Sequence, residues 1–133
     1  MLFEEEKKFV ESQLAKIKEQ RAVFLVVEKG KKIVGAAQIN LKEKIHAHVG
    51  HLGISLSKEV RDQGIGSKLL ESILKQSVQE LPSMKLIDLE VFIINDRAKH
   101  LYEKYGFKEL GRLPKSIFYK DEYVDEIYMY REV

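Results

Sequence analysis

The sequence predicts an α/β (α+β) domain, a single layer of mixed β-sheet flanked by helices. Three observations predict it. Short β-branched and aromatic runs alternate along the chain with longer segments whose apolar residues recur every three or four positions. The first strands follow one another through tight turns, which gives an antiparallel half. A later strand–helix–strand unit then requires a parallel pair joined by a right-handed crossover, so the sheet is mixed. A chain of 133 residues fits one domain spanning residues 1–133.

The elements follow in order. Residues 2–20 read as a helix, with Phe9, Val10, Leu14 and Ile17 at helical spacing and charges between them. Val23, Phe24, Leu25, Val26 and Val27 form a strand bounded by Gly30. Residues 28–31 turn it into a second strand over 32–41, and residues 46–56 form a third. A helix opens near Gly64 and runs to Glu80, with Leu69, Leu70, Ile73, Leu74 and Val78 on one face and Pro82 beyond its end. Residues 85–94 are the next strand, in which Ile87, Leu89, Val91 and Ile93 alternate with Leu86, Asp88, Glu90 and Phe92. Asn95 caps a helix striped by Ala98, Leu101, Tyr102 and Tyr105. Gly106 ends that helix in a left-handed turn, with Phe107 folding back. Residues 109–119 and 123–130 make a last hairpin around Lys120, Asp121 and Glu122.

Bulk composition excludes several classes. The net charge is only +2 and lysines alternate with glutamates, weak support for nucleic-acid binding, which usually shows a concentrated basic face. No run approaches the ~18 consecutive apolar residues of a membrane helix. The acidic start, with Glu4, Glu5 and Glu6, is followed by no apolar signal segment, which points to the cytoplasm. Without cysteine the chain has no disulfide, thiolate zinc site or thiol nucleophile.

The segment Arg61-Asp62-Gln63-Gly64-Ile65-Gly66-Ser67 joins a strand to a helix. Its two glycines let the main chain approach a ligand with no side chain in the way. The first-turn amides of the helix point outward unpaired, and the helix dipole adds partial positive charge, so a pyrophosphate there accepts several hydrogen bonds. Arg61 and Lys68 add full charge, and the Ser67 hydroxyl is a further donor. A tight turn without ligand explains the glycines equally well. A P-loop does not fit, because Gly66 is followed by Ser67 and Lys68 rather than Gly-Lys-Ser/Thr. A dinucleotide fingerprint fails too, since position 69 is Leu and the next strand ends Ile94-Asn95.

This loop resembles motif A of the GNAT N-acetyltransferase superfamily, Arg/Gln-x-x-Gly-x-Gly/Ala. The run from Val60 through Leu70 matches it into the following helix. A second block agrees: Leu89-Glu90-Val91, Asn95-Asp96-Arg97-Ala98, and Leu101-Tyr102-Glu103-Lys104-Tyr105-Gly106-Phe107 resemble the family's strand-Asn-helix-Tyr-Gly-Phe segment. The ending Tyr123-Val124-Asp125-Glu126-Ile127-Tyr128-Met129 resembles branches that acetylate amino acids or protein N-termini. The resemblance covers residues 22–133. The family's first strand and helix have no counterpart ahead of Leu2, and because they help wall the acceptor site, the resemblance says less about acceptor than about coenzyme.

What the resemblance implies is an acetyl-CoA-dependent enzyme with no metal, moving acetyl directly to a primary amine in a ternary complex. The acceptor is an amino acid, a small amine or a protein N-terminus. The pantetheine arm lies between the strands holding residues 52–56 and 90–94, in contact with Ile54, Ser55 and Leu56. An amide of Gly53, Ile54 or Ser55 meets the thioester oxygen as charge builds there. The pyrophosphate falls to Arg61, Asp62, Gln63, Gly64, Ile65, Gly66 and Ser67, and the Asn95 amide touches the arm. Arg97, Lys99 and Lys104 can reach the remaining phosphate, although a solvated face explains them equally.

Tyr102 matches the family's helix tyrosine, the acid for the leaving sulfur; its place on the apolar stripe also suits a core residue. Glu90 is the candidate base, since a carboxylate within an apolar strand suggests a polar cleft, with a salt bridge to lysine as the structural alternative. Asp88 on the same face is its substitute, and a water chain is a third route. On a strand, His46 and His48 share a face and His51 takes the other, which disfavours a three-histidine metal site.

Rival readings are a non-catalytic acyl-CoA-binding module and an antibiotic- or polyamine-modifying acetyltransferase. The tyrosine-rich hairpin over residues 119–130 reads either as a homodimer surface or as core.

Overall fold

The computed structural model describes residues 15, 17, 19–61 and 63–133. Ala15 and Ile17 are helical, while Phe9, Val10 and Leu14 of the expected first helix lie outside the described residues. The described elements are β1 (Ala22–Lys29), β2 (Lys32–Leu41), β3 (Val49–Leu56), α1 (Ile65–Glu80), β4 (Leu86–Phe92), α2 (Asp96–Lys104), β5 (Lys108–Tyr119) and β6 (Glu122–Glu132), with 3-10 turns at Lys44–His46 and Lys58–Val60. Six strands form one sheet in the order β1-β2-β3-β4-β6-β5. β3 and β4, joined through α1, are parallel, and the other neighbouring pairs are antiparallel. This is the mixed sheet that the strand–helix–strand unit requires.

The turns explain the registers. Gly30, at φ +66, closes β1 onto β2. Lys120 and Asp121, at φ 49 and 62, close β5 onto β6 in the left-handed pair of conformations that matches strand twist. The third strand begins at Val49 rather than residue 46. Local bonds from His46 N to Glu43 O (3.0 Å) and Ala47 N to Lys44 O (3.1 Å) coil this stretch, and Lys42 N to Val49 O (2.9 Å) closes the hairpin across it.

One face of the sheet carries the core. Ile39 pairs across to Leu52, and Leu89 and Val91 pair to Met129 and Ile127. Leu69, Leu70, Ile73 and Leu74 of α1 and Tyr102 and Phe107 of the α2 segment are buried in the same cluster. The α1 stripe ends differently from expectation: Ser77 is fully buried and Val78 is 50% exposed. Ser77 tolerates that place because its hydroxyl donates to Leu74 O at 2.8 Å. The end of α2 is as expected. Gly106 sits at φ +91, Phe107 N bonds Tyr102 O and Gly106 N bonds Glu103 O, and the Tyr102 and Phe107 rings meet edge to face at 5.9 Å.

The feature that positions a site lies mid-sheet. β3 and β4 pair only through Val49↔Leu86, Gly50↔Ile87 and His51↔Asp88. β3 stays paired with β2 out to Leu56↔Gly35, and β4 stays paired with β6 out to Phe92↔Glu126. Their outer edges are therefore held while their facing edges separate. Gly50 lets the paired end close tightly: a Cβ there would stand 2.6 Å from Met84 Sδ and 2.7 Å from Ile39 Cγ2. Gly50→Ala should therefore destabilise the fold by about 1–3 kcal/mol through overpacking. An unchanged urea midpoint would show that Met84 gives way freely.

Candidate functional site

Beyond the His51↔Asp88 rung, residues 52–56 of β3 and 89–92 of β4 face each other without ladder partners. Unpaired main-chain groups need a donor or acceptor from solvent or a ligand. An extended, amide-bearing chain is the shape that fits such a cleft. Ile54 and Leu56 are half-buried and Ser55 is exposed, so their main chain is within reach.

The open end of the gap is ringed by helix ends. α1 starts after β3, with Gly64 at its N-cap in the left-handed region (φ 76). A Cβ on Gly64 would meet nothing within 4 Å. Its glycine is thus required by backbone conformation beside open space, not by packing. Gly66 differs, since a Cβ there would press to 3.1 Å on Leu56 Cδ1 and 3.8 Å from Leu101 Cδ2. The first amide of α1 to find a helical partner is that of Lys68, bonded to Gly64 O at 3.2 Å, which leaves the preceding turn's amides available to an anion.

The side chains of this loop largely brace it. Arg61 folds back so that Nε and Nη2 donate to Leu56 O at 3.3 and 3.2 Å. Gln63 Nε2 donates to Glu59 O at 3.1 Å. The Ser67 hydroxyl is bonded to the Tyr105 hydroxyl at 2.8 Å, joining the first turn of α1 to the end of α2. That link spans 38 residues and carried no signal in the sequence, where Tyr105 read only as part of an apolar stripe. Asp62 lies outside the described residues. Ile65 is half-buried beside the glycines, and Lys68 is exposed.

On the other flank, Asn95 caps α2 as expected, its Oδ1 accepting from Ala98 N at 3.2 Å, so its side-chain NH2 remains a donor. Lys99 is committed to Glu109 (3.3 Å) and Glu103 (3.9 Å), whereas Lys104 is exposed with its Nζ 5.9 Å above the Tyr105 ring.

Tyr102 is 7% exposed, and burial pushes its phenol up to about 12. Its hydroxyl makes no hydrogen bond to any described residue. Glu90 is exposed on the face opposite the core. Face alternation therefore explains its place in an apolar strand, and no ion pair forms at it among the described residues. The lysine pairing falls instead on Asp88, whose Oδ2 receives Lys42 Nζ.

Asp88 Oδ1 also bonds His51 Nδ1 at 2.7 Å. Burial alone would raise the Asp88 carboxyl, but the His51 and Lys42 bonds outweigh it and hold it below its ordinary range. The bond to Asp88 raises the His51 imidazole against the opposing effect of burial. His46 and His48 lie in the coil before β3, both exposed, so neither shares a strand face with the other as expected. The hairpin tyrosines divide: Tyr119 and Tyr123 are 39% and 67% exposed, and Phe118 beside them is 62% exposed.

A sheet parted between two parallel strands, with a glycine-headed helix at the parting, defines the acyl-CoA N-acyltransferase fold. The chain belongs to the Acetyltransferase (GNAT) family, whose pattern matches residues 2–107. It is 31% identical over 100 residues to L-amino acid N-acetyltransferase AaaT of Escherichia coli (strain K12), covering 74% of this chain. It is 30% identical over 107 residues to spermidine N(1)-acetyltransferase of Vibrio cholerae, covering 80% of this chain. Each alignment spans 61% of the relative's own length. Among solved structures, an acetyltransferase of the GNAT family from Streptococcus pneumoniae superposes with a TM-score of 0.84 at 24% identity, covering 94% of this chain and 73% of that one.

The His51–Asp88 pair makes stability depend on pH. The histidine's affinity for protons is higher folded than unfolded, so its contribution to stability is fully present below the ordinary imidazole value and fades as pH rises through the raised one. The depressed carboxyl gives the opposite limb, its contribution fading as pH falls through the acidic range. The melting-temperature gap between wild type and His51→Gln should be widest around pH 5–6 by these signs and narrow towards pH 9. A gap that widens with pH would contradict the assignment.

Proposed function

We propose that this chain is an N-acetyltransferase that moves acetyl from acetyl-CoA to a primary amine by direct transfer in a ternary complex. The observation that carries the reading is the loss of pairing between β3 and β4 beyond His51↔Asp88, set against the open glycine turn at Gly64. The acyl donor supplies an activated thioester. The gap edges, residues 52–56 and 89–92, bind its arm through main-chain hydrogen bonds, with an amide of Gly53, Ile54 or Ser55 at the thioester oxygen. Amides of Gly64, Ile65, Gly66 and Ser67 hold the pyrophosphate; Arg61 and Gln63 serve chiefly by fixing that loop. The Asn95 NH2 faces the arm, and Lys104 serves the remaining phosphate.

Tyr102 acts at the leaving sulfur. A phenol near 12 stays protonated at neutral pH, and full transfer to a thiolate of ordinary pKa, about 8.5, would run uphill. Its role is therefore a hydrogen bond that stabilises charge on the departing sulfur. Similarity to relatives named for L-amino acids and spermidine favours a small amine as acceptor, with a peptide N-terminus as the other candidate.

Tyr102→Phe should lower kcat by about 100-fold or more, the range for one lost donor to developing charge, and leave the acetyl-CoA Kd within about twofold because the change is confined to a group acting late. Thiol release from acetyl-CoA, assayed over a panel of L-amino acids and with spermidine beside calorimetry, reads both quantities. Equal turnover in the two proteins removes Tyr102 from the chemistry, and coenzyme binding without release for any amine converts the reading to a binding module.

A further inference from the structure

The outward face of the sheet, opposite the core, carries a polar cluster that the binding of coenzyme does not use. His51 and Asp88 form the last paired rung before the strands part, so their side chains stand at the closed end of the gap. His51 Nδ1 is engaged with Asp88 Oδ1, while its Nε2 bonds to no described residue. The side chain is 41% exposed.

We propose that His51, oriented by Asp88, is the group that takes the proton from the amine substrate. The inference rests on the acetyltransferase reading above.

Position supports it first. An arm anchored by its pyrophosphate at the Gly64 turn enters from the open end and carries its thioester towards the closed one. From Leu56 back to His51 the strand covers about 17 Å at ~3.3 Å per residue, the scale of an extended chain bearing two amides. Chemistry supports it second. An alkylammonium has no lone pair, and an ordinary imidazole (about 6.5) is a stronger base than an ordinary carboxylate (about 4.3). Asp88 fixes the tautomer with the proton on Nδ1, leaving the Nε2 lone pair as acceptor. Lys42 on the second oxygen keeps Asp88 itself ionised.

The surroundings support it third. From β4, Asp88 and Glu90 carry negative charge onto this face; from the end of β2, Lys42 opposes them. From β6, Tyr130 and Tyr128 stand across from Asp88 and Glu90. The balance favours an incoming cation.

In the step, one proton passes from the ammonium to His51 Nε2. The freed lone pair forms the C–N bond as the C–S bond breaks, and the nitrogen's second proton ends on the sulfur. His51 then releases its proton to water, so the products are amide, thiol and one proton.

The test uses the full chain, with a panel of L-amino acids and spermidine as probe amines. His51→Gln should lower kcat/KM by about 100-fold or more, abolish the acidic limb of its pH profile and leave acetyl-CoA affinity unchanged. Asp88→Asn should shift that limb to lower pH, because the imidazole loses its partner. A limb that survives in His51→Gln with coenzyme binding intact overturns this inference alone. Failure of acetyl-CoA to bind the folded chain overturns it together with the reading beneath it. An NMR titration of the His51 ring decides the case if none of these amines turns over. A ring that titrates above the ordinary value, falls in Asp88→Asn and shifts on addition of acetyl-CoA supports the role; a ring indifferent to acetyl-CoA excludes it. A merely structural pair would lower stability without moving any limb.

Discussion

The site depends on an interruption in hydrogen bonding between two neighbouring strands. β3 and β4 are locked for three rungs and then released, although each continues, paired on its far side. Releasing a ladder inside a sheet leaves main-chain donors and acceptors without protein partners, a cost that a fold tolerates where something else satisfies them. The interruption thereby makes a slot whose walls are peptide groups. Its closed end is set by Gly50 packing on Ile39 and Met84, and the His51–Asp88 contact reinforces the last rung.

The helices turn the slot into an oriented site. Each of the two parted strands feeds a helix, α1 after β3 and α2 after β4. The Ser67–Tyr105 hydroxyl contact ties the start of one to the end of the other. The anion-attracting end of α1 is therefore fixed relative to Tyr102, one helical turn before Tyr105 on a helix sealed by Gly106 and Phe107. A change at Ser67 or Tyr105 would act on the spacing of these parts before it acted on any ligand directly.

Much of this was legible in the sequence. Strand alternation in residues 86–92, glycine at the two turns and the Asn95 cap are local rules, and the structure places them as read. The start of β3 was misplaced because the bonds that coil residues 43–47 run between main-chain groups, in a stretch with no glycine, proline, asparagine or aspartate to mark a turn. Val78 and Ser77 exchanged roles because a serine that back-bonds its own helix can occupy an apolar face. For the candidate site, the glycine loop was legible as a motif, but the inward folding of Arg61 was not, since a charged residue near an anion site reads as a ligand. Glu90 drew attention because charge in an apolar strand is conspicuous. The pairing of His51 with Asp88 stayed hidden, because it spans 37 residues and depends on the parallel register.

The central claim is that the parted strands receive an extended acyl-CoA arm, and backbone-amide NMR during an acetyl-CoA titration tests it most directly. The account predicts saturable shifts concentrated in residues 52–56, 89–92 and 64–67, with the β5–β6 hairpin tip unmoved. No shifts in the folded chain, or shifts that avoid the facing edges of β3 and β4, would contradict it.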